Sequence, residues 1–269
     1  MRKGILILLV ALLTSLSAIA QELYIYSEPA SNMPKKSIGV RLTTEGTINP
    51  KFTNRIMPEV MFGLNKNLMF HLQGFASDTK GKYAVEGGSV YAKYRFLSLD
   101  EAQSHFRGAV FGRVSTSNLP IATEDINLEG DNSGWQAGVI FTQLLHKLAL
   151  SGTVGYNQAF NVKSKQVAGM PSPDKMINYS LSSGYLLLPF VYKNYQQPNF
   201  NLYFEVLGKT NPENGNSYLD FAPAVQFIFN SRTRIDLGYR FQVAGDMQNR
   251  YLKNMYLARL ELNFFNVLK

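Results

Sequence analysis

Between Tyr256 and Phe264 the side chains sort by strict alternation. Tyr256, Ala258, Leu260, Leu262 and Phe264 fall on one side of an extended strand, and Leu257, Arg259, Glu261 and Asn263 fall on the other. One face is apolar and the other largely polar, so the strand requires two different surroundings. Eight steps at about 3.3 Å, tilted about 40°, rise roughly 20 Å, close to the height of the apolar band of a membrane barrel. Strands of soluble proteins cluster near about five or six residues, whereas a tilted membrane-crossing strand needs about nine to eleven.

The same alternation recurs along the chain, with apolar series at 38–42, 56–64, 68–72, 90–96, 106–114, 135–141, 148–156, 177–185, 202–206, 219–229, 235–243 and 256–264, which predicts twelve strands. The gaps between them alternate in length. Odd-numbered gaps fall at 46–54, 77–85, 115–133, 161–175, 208–216 and 244–253, and even-numbered gaps at 65–67, 98–104, 145–147, 193–198 and 230–232. Long loops at one end and short turns at the other are the arrangement of an up-and-down barrel. Pro58, Pro189 and Pro223 fall inside the proposed strands and predict local irregularities, because proline donates nothing to a ladder.

Residues 1–20, MRKGILILLVALLTSLSAIA, place Arg2 and Lys3 before a leucine-rich run and end in Ala18, Ile19 and Ala20. This is the pattern of a cleaved secretory signal peptide. The chain has no cysteine, which excludes a lipid-modified N-terminus and any disulfide framework. Without Arg2 and Lys3 the mature chain has 25 Lys+Arg against 19 Asp+Glu, and these are spread along its length rather than clustered, so no nucleic-acid partner is expected. Charged residues make up only 17%, while 15 Tyr and 18 Phe are present, so much of the surface is expected to meet something other than water.

The expected fold is therefore all-β: a transmembrane antiparallel barrel of about twelve strands over 37–269, preceded by a segment, 21–36, that is either a periplasmic tail or enters the lumen through Tyr24 and Tyr26. A soluble β-sandwich would also alternate, with its apolar faces packed together. The terminal YLARLELNF resembles the C-terminal β-signal by which the barrel-assembly machinery recognises outer-membrane proteins, and the Ala20–Gln21 junction resembles export signals of the Bacteroidota. The resemblance is to the broad class of porin-like outer-membrane β-barrels. It implies the outer membrane of a Gram-negative bacterium, with lipid, lipopolysaccharide and the assembly machinery as partners.

With the apolar face outward, Arg41, Glu59, His71, Lys93, Arg95, Arg107 and Arg113 are expected to line the lumen. From the second half of the chain come Glu205, Asp220, Arg234, Asp236, Arg240, Arg259 and Glu261. Lys93, Arg95, Arg107 and Arg113 form a basic ladder on adjacent strands, as Arg234, Arg240 and Arg259 do on the last two. Facing basic tracks are similar to those of twelve-stranded porins for acidic sugars, which implies a narrow passive channel for small anionic or hydrophobic solutes. The alternative is a closed lumen, in which these arginines pair with Glu59, Glu205, Asp236 and Glu261 as a salt-bridge lattice.

A barrel phospholipase needs a histidine two residues before a serine, but His71 is followed by Leu72 and Gln73, and no Ser–His–acid set can be placed. No catalysis, metal or cofactor is expected. The third long loop carries Glu124, Asp125, Glu129 and Asp131 without calcium-loop spacing, and is expected to be a solvated acidic loop, with divalent bridging to lipopolysaccharide or inward folding as alternatives.

Overall fold

The computed structural model describes residues 24–48, 52–79, 81–160, 162–169, 173–191, 196–247, 249–250 and 253–268. The expected signal peptide lies outside the described residues. Twelve strands are present among them: β1 Ser37–Gly46, β2 Arg55–Gly63, β3 Leu68–Ser77, β4 Ala84–Glu101, β5 Ser104–Ser117 and β6 Gly134–Leu145, then β7 Leu148–Ala159, β8 Lys175–Leu188, β9 Asn199–Thr210, β10 Ser217–Phe229, β11 Thr233–Gly245 and β12 Asn254–Phe264. One helical turn, α1 (Val162–Lys165), sits in the loop after β7.

Each strand pairs antiparallel with its chain neighbours, and β12 returns to β1 from Ile38 opposite Phe264 to Gly46 opposite Tyr256. The sheet is a closed barrel and leaves no free edge, so its ladder groups satisfy one another. Period-two alternation then decides what each face shows. On β1, Val40 and Leu42 are exposed outside, while Arg41, Thr43 and Glu45 are buried inside. The same division recurs on β12, where Leu260, Leu262 and Phe264 are exposed and Glu261 and Asn263 are buried.

At one end the connections are 64–67, 102–103, 146–147 and 230–232, all short, and 189–198, which is longer than the expected 193–198; at the other end they are 47–54, 78–83, 118–133, 160–174, 211–216 and 246–253. The expected turn at 98–104 contracts to two residues. A bulge between Arg95 and Leu97 lets β4 run on to Glu101, and Gln103 takes the left-handed conformation, φ 62°, that closes so short a turn. Pro189 lies outside β8, which ends at Leu188. Pro58 and Pro223 remain inside strands and face outward, and each interrupts one ladder only. Pro58 pairs with Leu42, while the β2–β3 register skips from Ile56 to Glu59; Pro223 pairs with Phe204, while the β10–β11 register skips from Phe221 to Ala224.

Aromatic side chains ring both ends of the outer face. Near the short turns, Phe106 stacks on Phe141, which meets Phe96 edge-on, and Phe200 packs on Phe227. Near the long loops, Trp135 packs on Tyr156, and Phe221 meets Phe204 and Phe241. Two aromatic girdles flanking an aliphatic band are the outer surface of a barrel built for a bilayer.

Candidate functional site in the barrel lumen

The lumen is occupied by the chain's own N-terminal segment. Glu205, fully buried on the inner face of β9, accepts three consecutive backbone N–H bonds, from Ile25 and Tyr26 to Oε1 at 2.9 and 2.8 Å and from Ser27 to Oε2 at 2.9 Å. Successive amides converging on one carboxylate make an anion nest, and such charge-assisted bonds are the strong ones. Ser182 donates to the same carboxylate and shares a hydrogen bond with the Ser27 hydroxyl. Further along the segment, Ala30 N–H donates to Thr142 Oγ1, Lys93 Nζ donates to Pro29 O at 2.6 Å, and Arg107 donates to Ser31 Oγ.

Apolar contacts seat the segment as well. Tyr24 and Ile25 are buried with Leu144, Ala149, Tyr203, Ala224 and Leu257, and the Tyr24 ring stands edge-on to Tyr203 at 5.9 Å. Met33 is buried against Met61 and Met69. At the short-turn end, Lys36 N–H donates to Gly63 O, and Lys36 O accepts from the amides of Val267 and Leu268 in the tail after β12.

The wall around this segment is a network of ion pairs that the strand registers bring together. Arg41 stands opposite Glu59 on β2 and Glu261 on β12, and contacts them at 3.1 and 2.8 Å, with Glu28 of the inserted segment at 3.3 Å. Glu59 also meets His71 Nδ1 at 2.6 Å. Arg234 contacts Asp236 and Glu261 at 3.0 and 3.2 Å, and Arg259 lies 3.7 Å from Asp236. Opposite charges directly across a ladder attract, and buried together they avoid the cost of an unpaired ion.

Burial alone would raise the Glu28 carboxyl, but Lys93 and Arg41, with His71 and Arg259 behind them, hold it well below the usual carboxylate range.

The third long loop, 118–133, closes the other end by turning inward, which corrects the solvated loop expected from its composition. Asp131 is bound by Arg55, Glu129 Oε1 by Arg113 at 2.7 Å, and Asp125 by Lys209 at 2.9 Å and by the Tyr218 hydroxyl. Ile126 and Leu128 are buried with Ala159, Met176, Tyr218 and Met247. The Asp125 carboxyl would be raised by burial, yet Lys209 and Arg250 bring it below its ordinary value. Arg250, from the last long loop, lies 3.3 Å from the centre of the Tyr218 ring and grips Asp220 with both terminal nitrogens, at 2.6 and 2.8 Å.

Between the inserted segment and the inward loop lie two adjoining cavities of about 110 and 190 Å³, which share Tyr26, Ser27, Glu28, Arg113, Asn127, Glu129, Lys209 and Arg240 in their walls. Most residues expected in the lumen sit on this inner surface, and their charges are matched. Arg113 pairs with Glu129, Arg240 with Asp220 and Arg107 with Asp100. Arg95 lies at the short-turn end, where it donates to Lys66 O.

Sequence reading missed Arg55, Glu86, Lys209 and Arg250. Lys209 is in phase with Glu205 and was recoverable from the period. Strict alternation from Val90 places Glu86 outside, but the bulge opposite Phe75 and Ala76 turns it in to meet Arg55 at 2.9 Å.

No family model matches the chain, and neither does any curated protein. Among solved structures it is similar to an outer membrane channel from Pseudomonas putida F1, at 13% identity and a TM-score of 0.56, over 90% of this chain and 100% of that one. It is also similar to the NanC porin (12% identity, TM-score 0.49, 84% and 98% covered) and to the KdgM porin (11%, 0.46, 85% and 99%). The likeness to the first gives the fold, a barrel of the outer-membrane kind.

Proposed function

We propose that the protein is a barrel of the Gram-negative outer membrane that works as a narrow passive channel for small solutes, with its N-terminal segment as a displaceable obstruction. The observation that carries this reading is the origin of the obstruction. What fills the lumen is a segment outside the sheet, held by side-chain hydrogen bonds, apolar contacts and the ion pairs of Glu28, with open chambers above it. Wall side chains alone fill barrels of about eight strands and about sixteen leave an open channel; in this barrel of twelve the inserted segment takes up the space between.

Ion selection by such a channel is expected to be weak. The smaller chamber is lined by six basic side chains, Arg41, Arg113, Lys209, Arg240, Arg250 and Arg259, and by six acidic ones, Glu28, Glu45, Glu59, Asp125, Glu129 and Asp131. On β4 and β5, Lys93 pairs with Glu28, Arg107 with Asp100 and Arg113 with Glu129, so the basic ladder is not a bare anion track. On this reading lipid and lipopolysaccharide surround the apolar belt, and the terminal alternation addresses the chain to the barrel-assembly machinery. A Bacteroidota source rests on the Ala20–Gln21 junction alone.

A second reading, a permanently closed structural barrel, is favoured by the buried lattice around Arg41 and Arg234. Planar-bilayer recording separates the two. The mature protein is expected to give small, infrequent current steps, and a variant lacking residues 24–33 larger and persistent ones with little ion preference. Silence from both, with the barrel folded, would leave the closed barrel as the function.

A further inference from the structure

The larger chamber has the chemistry of a binding site. One row of the wall runs from Phe111 on β5 through Gly138 and Gly155 to Asn178 on β8, and the Phe111 and Asn178 side chains lie close over the two glycines and face the chamber beyond. A Cβ added at Gly155 would lie 2.7 Å from Asn178 Oδ1.

Around this volume of about 190 Å³, five buried polar atoms have no hydrogen-bond partner among the described residues: the hydroxyls of Tyr91 and Thr153, Arg113 Nε, Asn157 Oδ1 and Asn178 Oδ1. Tyr91 is only 4% exposed and Asn157 only 2%. Buried polar groups are nearly always satisfied, so a set converging on one chamber points to an occupant. Beside them Phe111, Ile140 and Leu207 supply an apolar wall.

The kind of occupant follows from the mixture. Hydroxyls and Arg113 Nε offer donors, while the two amide oxygens ask for them. An anion would satisfy only the donors and would face Glu28 and Glu129; a cation would satisfy only the acceptor oxygens, leave Arg113 Nε without a partner, and face Arg113, Lys209 and Arg240. A neutral molecule whose hydroxyls both give and accept, with C–H faces for the apolar wall, serves all of them.

The geometry points to a binding site in this chamber for a small neutral polyhydroxylated molecule of monosaccharide size. This inference concerns occupancy, and it holds whether or not the barrel conducts. Isothermal titration of the mature protein in detergent tests it, with glucose as the neutral probe, glucuronate as the anion and glucosamine near pH 7 as the cation.

Saturable binding of glucose is expected, with both charged analogues at least about tenfold weaker. Tyr91→Phe, which removes a single hydroxyl, and Asn178→Ala, which removes the whole amide, are expected to weaken glucose binding about five- to tenfold. Gly155→Leu, whose side chain collides with the Asn178 amide and drives it out of its place, is expected to abolish it. Thermal unfolding of each variant shows that the barrel is intact. No saturable binding of glucose, or binding unchanged in Tyr91→Phe and Asn178→Ala, overturns the site. Glucose binding by a barrel that never conducts sinks the channel and leaves the site standing, whereas conduction without glucose binding does the reverse.

Discussion

Glu205 shows how much one side chain can hold. Its carboxylate is buried, accepts three consecutive amides and a serine hydroxyl, and seats residues 25–27 against the inner wall. Glu205→Ala is expected to cost the seated segment about 3 kcal/mol or more, since bonds to a charged acceptor contribute about 1.5–3 kcal/mol each. Proteolysis of the detergent-solubilised protein checks this: residues 24–33 resist cleavage in the native barrel and are cut in the variant, with the strands unaffected.

Glu28 sets the pH response of the same segment. Its folded pKa lies below the ordinary 4.5, so its stabilisation is complete above that value and is lost only as pH falls through the depressed one. Protection of the segment should therefore be flat from about pH 5 to 8. Lys93→Met, which removes the largest favourable neighbour of that carboxylate, should make protection fall within the acid end of the range. Protection that varies across the range in the native protein would remove Glu28 from this role. Residues such as Arg41, Glu59 and Glu261 were legible in the sequence because a period of two holds through their strands. Glu86 was not, because one extra residue at a bulge reverses the face of everything before it.

At the scale of elements, the sheet was legible and its insertions were not. All twelve strands announce themselves by alternation, and Pro223 marks a real break in one ladder. The inward course of residues 118–133 is invisible to local reading, because Asp131 finds Arg55 across 76 positions and Asp125 finds Lys209 across 84. An acidic, turn-rich stretch reads as solvated until its cationic partners are placed beside it by the closed sheet. Arg55 is the hub of that contact, joining Glu86, Asp131 and the carbonyl of Glu129 while only 2% exposed. Arg55→Ala leaves Glu86 buried without its ion partner, a loss of about 3–5 kcal/mol by the usual cost of breaking a buried pair. Hydrogen exchange should show residues 118–133 opening in the variant, with β5 and β6 still protected. Unchanged exchange in the loop would mean that its apolar anchor, Ile126 and Leu128, holds it alone.

For the whole molecule, one assignment of faces underlies every functional statement: the aliphatic band meets lipid and the charged surface is enclosed. Sequence periodicity alone does not choose this over a sandwich with its apolar faces packed together. Closure does, because the barrel in the structure has its apolar residues outside, and Val139, Leu181 and Leu237 stand exposed along the middle of their strands. Strand β6 offers a test within one element. Val139 lies at its centre and Leu145 at its short-turn end, both outward and both exposed. In a bilayer an arginine costs about 2–4 kcal/mol at the midplane and about 0–1 near the interface. In water, exposed substitutions of this kind stay within about 0.5 kcal/mol of neutral. Val139→Arg should therefore destabilise the barrel in phospholipid vesicles by a few kcal/mol, and Leu145→Arg by much less, as read from urea unfolding. Equal, near-zero effects at the two positions would mean that water bathes the outer face, and the channel and its plug would lose their membrane.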